Sequence, residues 1–325
     1  MSLSEISGFI MRRARRDTFA AFIARMVRFA IIGAHLPLRI AKERKFHEKP
    51  DDYVEVKLFN GCLILVDTKD AGISVDLYLD GIREPFITEA LQHEIKRDDV
   101  VLDIGANIGY YVLQEAIICG GAGKVYAIEP VPANVELLKR NVERNRFLNV
   151  EIYNCAIGNS NRRDVINISP LRNMCSMIKK EGYREYIGQV PIQVVTVDTF
   201  LKDKLKPDLI RMDVEGYEYE ILQGMTKLLD NKVPLKLFIE VHFDILMDKI
   251  ILMVKLLKEK GFEIKVATYE PHASLKKSPL LPLARFCEGV MGAKSGQLNL
   301  KMDDLFKREF RTGQVEDLEI IFERK

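Results

Sequence analysis

The sequence has few cysteines, no long uncharged apolar run and no repeat, and each lack removes a class of protein. The five cysteines, Cys62, Cys119, Cys155, Cys175 and Cys287, are odd in number and never spaced as CxxC. That excludes a zinc knuckle and a disulfide framework. Cys119 and Cys155 sit in apolar contexts as small core residues, and the set fits a reducing, cytoplasmic compartment. No secretory signal peptide is read at the N-terminus. Residues 18–38 are apolar, but Arg25 and Arg28 interrupt them. A spanning helix needs about 20 residues nearly free of charge, so this is not a transmembrane segment.

What remains is a chain of 325 residues, 47% hydrophobic, enough for one large domain with appendages. Charged residues make up 30% and sum to +2, which argues against a protein that is basic throughout. Residues 1–49 carry eleven Lys/Arg against four Asp/Glu, about +7, leaving about −5 for the rest. Residues 1 to about 46 read as helix, and 1–50 as a basic helical extension. Two readings of it stay open. Residues 1–45 form a basic amphipathic helix in peripheral contact with the inner face of a membrane, or they cover the catalytic domain with their arginines in solvent.

YVEVKLFNGCLILVDT, residues 53–68, reads as a hairpin within 51–80, because Asn60-Gly61 separates two apolar runs. A helix is expected over 84–96. From residue 100 strands alternate with helices: DVVLDIG, GKVYAIEP, VEIYNCAIG, PIQVVTVDTFL, DLIRMDVEG, PLKLFIEVH and FEIKVAT supply strands. Apolar strands of this length between helices imply βαβ units and a mostly parallel sheet with helices on both faces. The final DLEIIFER is expected beside FEIKVAT, with 271–317 as an insertion. The α/β domain then covers 81–325.

In such sheets ligands bind beyond the carboxyl ends of the strands. VVLDIGANIGYY follows the first of them. Asn107 and Tyr110 stand where a dinucleotide fingerprint needs glycine, which argues against a nicotinamide oxidoreductase. Asp103, an acid before the first glycine, suits a cationic ligand such as S-adenosylmethionine (SAM). Gly105 and Gly109 let the loop approach the methionine part of that ligand, with Asn107 between them. Glu129 ends the next strand, where an acid accepts hydrogen bonds from a ribose diol. Asn154 and Ala156 end the third strand, placed to flank an adenine.

DIGANIGYY, VYAIEPVPANVELLKRNVERN, NCAIGNSN, VVTVDTFL, DLIRMDVEGYEYEILQGM and LFIEVH together resemble the FkbM-type family of SAM-dependent methyltransferases. The resemblance covers roughly 81–270, and its most specific element is DVEGxE paired with EVH in the next strand. It implies a Rossmann-like methyltransferase fold with a mostly parallel seven-stranded sheet. It also implies O-methylation of a sugar, a glycolipid or polysaccharide component, or another small-molecule acceptor.

Methyl transfer needs donor and acceptor aligned at about 3 Å and gains from removing the acceptor's proton. Asp213 and Glu215 share one side of a strand end by the i, i+2 rule. Two carboxylates so close raise one pKa or share a cation, so they read as a proton acceptor or as half of a Mg²⁺ site. Glu215 equally reads as a cap on the following helix. Glu240 and His242 repeat the spacing one strand over, with His242 a base at neutral pH or a structural histidine. No HxxxH or His-Asp-His cluster is present, so no transition-metal site is expected. The interval 172–189 is polar and basic and reads as a loop over the acceptor or as a solvated loop. Met174 and Met177 in it read as core filling. A nucleic-acid acceptor is disfavoured because no N-P-P-Y strand end is found. A non-catalytic SAM-binding subunit is disfavoured because the cleft acids are intact.

Overall fold

A computed structural model of the chain describes residues 38–179, 185–268, 297–298, 300–306 and 318–325. Of the basic extension it describes a helix, α1, over residues 38–47; the stretch before it, and most of the insertion expected at 271–317, lie outside the described residues. Strands β1 (Tyr53–Lys57) and β2 (Leu63–Asp67) pair antiparallel around Asn60-Gly61, with Gly61 at φ 90°. An added helix, α2 (Ile73–Asp80), follows, which the periodicity did not signal. The helix expected over 84–96 is α3 (Pro85–Glu94), with proline in its first turn, where a missing N–H costs nothing.

The repeating part runs β3 (Val100–Ile104), α4 (Tyr110–Cys119), β4 (Lys124–Ile128), α5 (Pro132–Arg144) and β5 (Val150–Tyr153). After β6 (Ala156–Ile157), β7 (Arg162–Ile168), β8 (Gly188–Val195) and α6 (Val197–Phe200) come β9 (Leu209–Met212), α7 (Glu218–Gln223) and α8 (Thr226–Asp230). The chain then forms β10 (Leu235–Val241), α9 (Phe243–Leu246), α10 (Lys249–Glu259), β11 (Glu263–Thr268), β12 (Gln297–Leu298) and β13 (Leu318–Arg324).

The main sheet has the order β12-β11-β13-β10-β9-β3-β4-β5: seven strands and the two-residue β12 at one edge. The run from β10 to β5 is parallel, and β13 lies antiparallel between β10 and β11, beside FEIKVAT as expected. One expectation needs correction. PIQVV does not enter this sheet; it is part of β8, which joins β6 and β7 in a separate three-stranded sheet. An apolar run of that length specifies a strand but not its partner.

The period of two sorts the strands between two cores. Leu102, Ile104, Ile128, Ile210 and Met212 pack on the face carrying α7, α8 and α10. Val101, Val125, Ala127 and Leu209 pack on the opposite face, under α4 and α5. That second core also contains Phe46, Ile64, Val66 and Leu77, so α1, the hairpin and α2 are fused to the α/β layer. Two asparagines of α5 fasten the join. Asn141 Oδ1 accepts from Leu65 N at 2.7 Å and its amide donates to Leu65 O, while Asn145 Oδ1 accepts from Leu63 N at 2.9 Å. The outer edge of β2 is thus satisfied by side chains.

Candidate active site

A cleft of about 600 Å³ opens beyond the carboxyl ends of β3, β4 and β9, roofed by the small sheet. This is the switch-point position at which open α/β sheets hold ligands. Of the sequence-predicted residues, Gly105, Asn107, Glu129, Ala156, Asp213 and Glu215 line it. Asp103, Gly109, Asn154, Glu240 and His242 do not.

Glu129 is placed by the turn from β4 into α5. Its carboxylate, 4% exposed, accepts from Asn107 N and Val131 N, both at 2.9 Å, and from Asn134 Nδ2 at 3.3 Å. Burial pushes this carboxyl up to about 7, against the pull of those three donors. Asn107, at φ 49°, donates its side-chain amide to Arg172 O, and its buried Oδ1 has no hydrogen-bond partner among the described residues. An unsatisfied acceptor beside a neutral-donor carboxylate fits a ligand bearing hydroxyl or ammonium donors.

The two loop glycines answer to the protein itself. At Gly105, φ 92°, a Cβ would stand 1.9 Å from the Asp213 carbonyl oxygen, so the β3 and β9 ends could not cross here with any side chain. At Gly109, φ 95°, it would stand 2.5 Å from Leu138, where α4 meets α5. Asn154 donates to the carbonyls of Glu129 and Pro130, both at 3.0 Å, and so holds the turn that presents Glu129.

Asp103 points the other way from the cleft. It stands beside Arg211 in the register of β3 with β9, and Arg211 Nη1 donates to its Oδ1 at 3.0 Å. The alternation that sends Ile104 to one face sends Asp103 to the other, where it is wholly buried. Arg211 also donates to Asp213 Oδ2 at 2.9 Å and lies 4.0 Å over the Tyr111 ring. Burial would raise the Asp213 carboxyl, but Arg211, and after it His242 and Arg83, bring it below the usual carboxylate value.

At the ends of β9 and β10 the acids crowd around one histidine. His242, 2% exposed, has Nδ1 at 2.7 Å from Glu218 Oε1 and Nε2 at 3.3 Å from Glu215 Oε2, with Glu240 Oε1 at 4.0 Å. Burial works against its charge, yet Glu215 and Glu218 hold its pKa well above the ordinary value. Glu240 is raised well above its ordinary value by burial and by Asp213, and its carboxyl bonds to Asp213. Glu215, at φ 57°, occupies a backbone conformation unusual for its residue type. Asp213, Glu215 and His242 each offer one ligand atom within 4.8 Å of the others. Sequence reasoning had kept this histidine apart from the carboxylate pair.

Sequence reasoning also missed Asn134 and Glu218, and it read Arg172 only as part of a loop over the acceptor. Arg172 donates to Asp67 Oδ2 of β2 at 3.0 Å and to Asn134 Oδ1 at 2.9 Å, and its N–H reaches Asp70 Oδ1 at 3.1 Å. The hairpin thereby anchors one wall of the cleft. Asp67 and Asp70 are 105 and 102 residues away in the chain and Asn134 is 38, so no local pattern announced them. Met177 packs on the core of the small sheet and also lines the cleft.

Residues 103–264 match the family model described as the methyltransferase FkbM domain. The chain is 30% identical over 152 residues to the hexuronic acid methyltransferase AglP of Haloferax volcanii, 46% of this chain and 59% of that protein. Over 52 residues it is 40% identical to a protein-L-isoaspartate O-methyltransferase of Methanothrix thermoacetophila, 16% of this chain and 25% of that one. The chain thus spans less than two thirds of the length of either relative. Among solved structures, M. jannaschii TYW2 in complex with AdoMet aligns with TM-score 0.40 and 15% identity, over 85% of this chain and 89% of that one. Among the described residues, no helix is long and apolar enough to cross a membrane.

Proposed function

Since residues 103–264 are a methyltransferase FkbM domain, we propose that the protein transfers the methyl group of SAM to a hydroxyl of a sugar or glycan acceptor. The observation that carries the reading is Glu129, a carboxylate held by neutral donors at the strand end with its remaining face toward the cleft. It receives the ribose hydroxyls. Asn107 Oδ1 takes a donor of the cofactor, and Ala156 and Ile157 give the adenine an apolar wall. Gly105, Gly109, Asn154 and the Asp103–Arg211 pair act on the cofactor indirectly, by fixing the loops that meet it.

SAM supplies a carbon already activated by its sulfonium. The chain's share is to align the acceptor. Asp213 and Glu215 face the cleft and orient the acceptor hydroxyl, while Glu240 and His242 support them from behind. A sugar is favoured because the relative matched over 152 residues is named for hexuronic acid methylation. The domain is read as 81–325, with 1–50 and 51–80 as extensions. The basic residues of 1–45 support peripheral contact with the inner face of a membrane and a lipid-linked or glycolipid acceptor.

The test is transfer from methyl-labelled SAM to uronate-containing glycans, neutral glycans and tRNA. Alkali-stable label on a glycan is the expected result, because a methyl ether survives base and a methyl ester does not. Label only on carboxyl groups, or only on tRNA, would contradict the reading.

A further inference from the structure

We propose that Asp213, Glu215 and His242 form a divalent-cation site at the edge of the cleft, and that the cation binds the acceptor oxygen. The three residues arrive from the ends of the adjacent parallel strands β9 and β10. Their candidate ligand atoms all lie within 4.8 Å of one another. A six-coordinate ion with ligands at about 2.1 Å needs neighbouring ligands about 3 Å apart and opposite ones about 4.2 Å apart, so small rotamer changes suffice.

The histidine is arranged as metal-bound histidines are. One ring nitrogen, Nδ1, meets a carboxylate, Glu218 Oε1, at 2.7 Å, and the other, Nε2, faces Glu215. A carboxylate behind the ring holds the proton on Nδ1, so Nε2 ligates once the cation displaces its proton toward solvent. Glu218 is fully buried, and Gly216 N donates to the same Oε1 at 3.1 Å, so the supporting group is itself positioned. Its Oε2 has no hydrogen-bond partner among the described residues. Asp213, Glu215, Glu218 and Glu240 surround a single histidine, and Arg211 donates to Asp213.

Two carboxylates and one imidazole suit Mn²⁺ or Mg²⁺, with the nitrogen ligand favouring Mn²⁺. Three protein ligands leave positions for two acceptor oxygens, so the acceptor class is a vicinal diol or a hydroxy acid. This last step rests on the methyltransferase reading. The coordinated hydroxyl is acidified and gives its proton to solvent. Its oxygen then forms the C–O bond as the C–S bond breaks, and that electron pair goes to the sulfur of S-adenosylhomocysteine.

The full chain, stripped with EDTA, would be titrated with Mn²⁺ and followed by electron paramagnetic resonance and thermal unfolding, with and without S-adenosylhomocysteine. One Mn²⁺ per chain, a rise in Tm that EDTA reverses, and at least tenfold weaker Mn²⁺ binding in His242→Gln and Glu215→Gln are expected. Glu215→Gln is nearly isosteric, which keeps the test decisive if the buried His242→Gln fails to fold. Absence of Mn²⁺ and Mg²⁺ binding to wild-type protein that binds S-adenosylhomocysteine would overturn the site. Mn²⁺ binding unchanged in a folded variant would also overturn it. Mn²⁺ bound through these residues without S-adenosylhomocysteine binding would uphold the metal site and instead remove the methyltransferase reading.

Discussion

Two strand-end clusters face each other across the cleft, and they handle negative charge in opposite ways. At the end of β4, Glu129 stands alone and is held by two backbone N–H groups and an asparagine amide. At the ends of β9 and β10, Asp213, Glu215, Glu218 and Glu240 gather around His242. Glu129, pushed up to about 7 by burial, is ionised above that pH, where its charge meets the hydroxyls of a neutral ligand group. In the crowded cluster the shifts diverge: Asp213, beside Arg211, lies below the usual value, while Glu240, buried and beside Asp213, lies well above it. The first arrangement suits a ribose and the second a cation or an acidified hydroxyl.

The largest effect expected from breaking this comparison is on stability. Arg211→Met strands Asp103 and Asp213 without their shared counter-ion and should cost about 3–5 kcal/mol in urea unfolding. Asp103→Asn should meanwhile change affinity for S-adenosylhomocysteine less than about threefold, because its side chain does not line the cleft. A large affinity loss in Asp103→Asn would place that acid back among the ligand contacts. Next in size, Glu129→Ala removes both ribose hydrogen bonds and should cost about 3 kcal/mol, more than a hundredfold in calorimetric affinity. Mn²⁺ binding should survive that substitution, and joint loss of both ligands would erase the distinction between the clusters.

The pH dependence is smaller and has a fixed sign. With Glu129 at about 7 in the free protein, the ionised form that accepts ribose hydrogen bonds falls about tenfold between pH 8 and pH 6. Affinity for S-adenosylhomocysteine should fall about tenfold over that range, and a flat profile would contradict the role. The same raised value acts on stability in the opposite sense: Glu129's contribution is complete below its unfolded pKa of about 4.5 and lost as pH rises through about 7. The smallest effect lies away from the site. Asn145→Ala should cost about 1 kcal/mol of stability, by leaving Leu63 of β2 unsatisfied, with cofactor affinity unchanged.

The alternation of strands and helices from residue 100, the Asn60-Gly61 hairpin and the pairing of the last strand were legible because each rests on local periodicity or turn chemistry. The placement of β8 was not, since an apolar strand does not name its neighbour. The direction of Asp103 was available in principle. It shares parity with Val101, and an arginine interrupts the apolar run of β9, the mark of a buried ion pair. Asp213 and Glu215 both line the cleft, but β9 ends at Met212 and Glu215 sits at φ 57°, so the i, i+2 rule of a strand is not what pairs them. Their meeting with His242 and Glu218 was not legible, because it depends on adjacent strand ends and on the turn into α7. Arg172 and its hold on Asp67 are long-range contacts with no local signature at all.

The account stands most directly on the methyl donor's site. Calorimetric titration of the full chain with S-adenosylhomocysteine at pH 8 should show one site of micromolar affinity that Glu129→Ala abolishes. No heat of binding from S-adenosylhomocysteine, with NAD or ATP binding in its place and depending on Glu129, would contradict it.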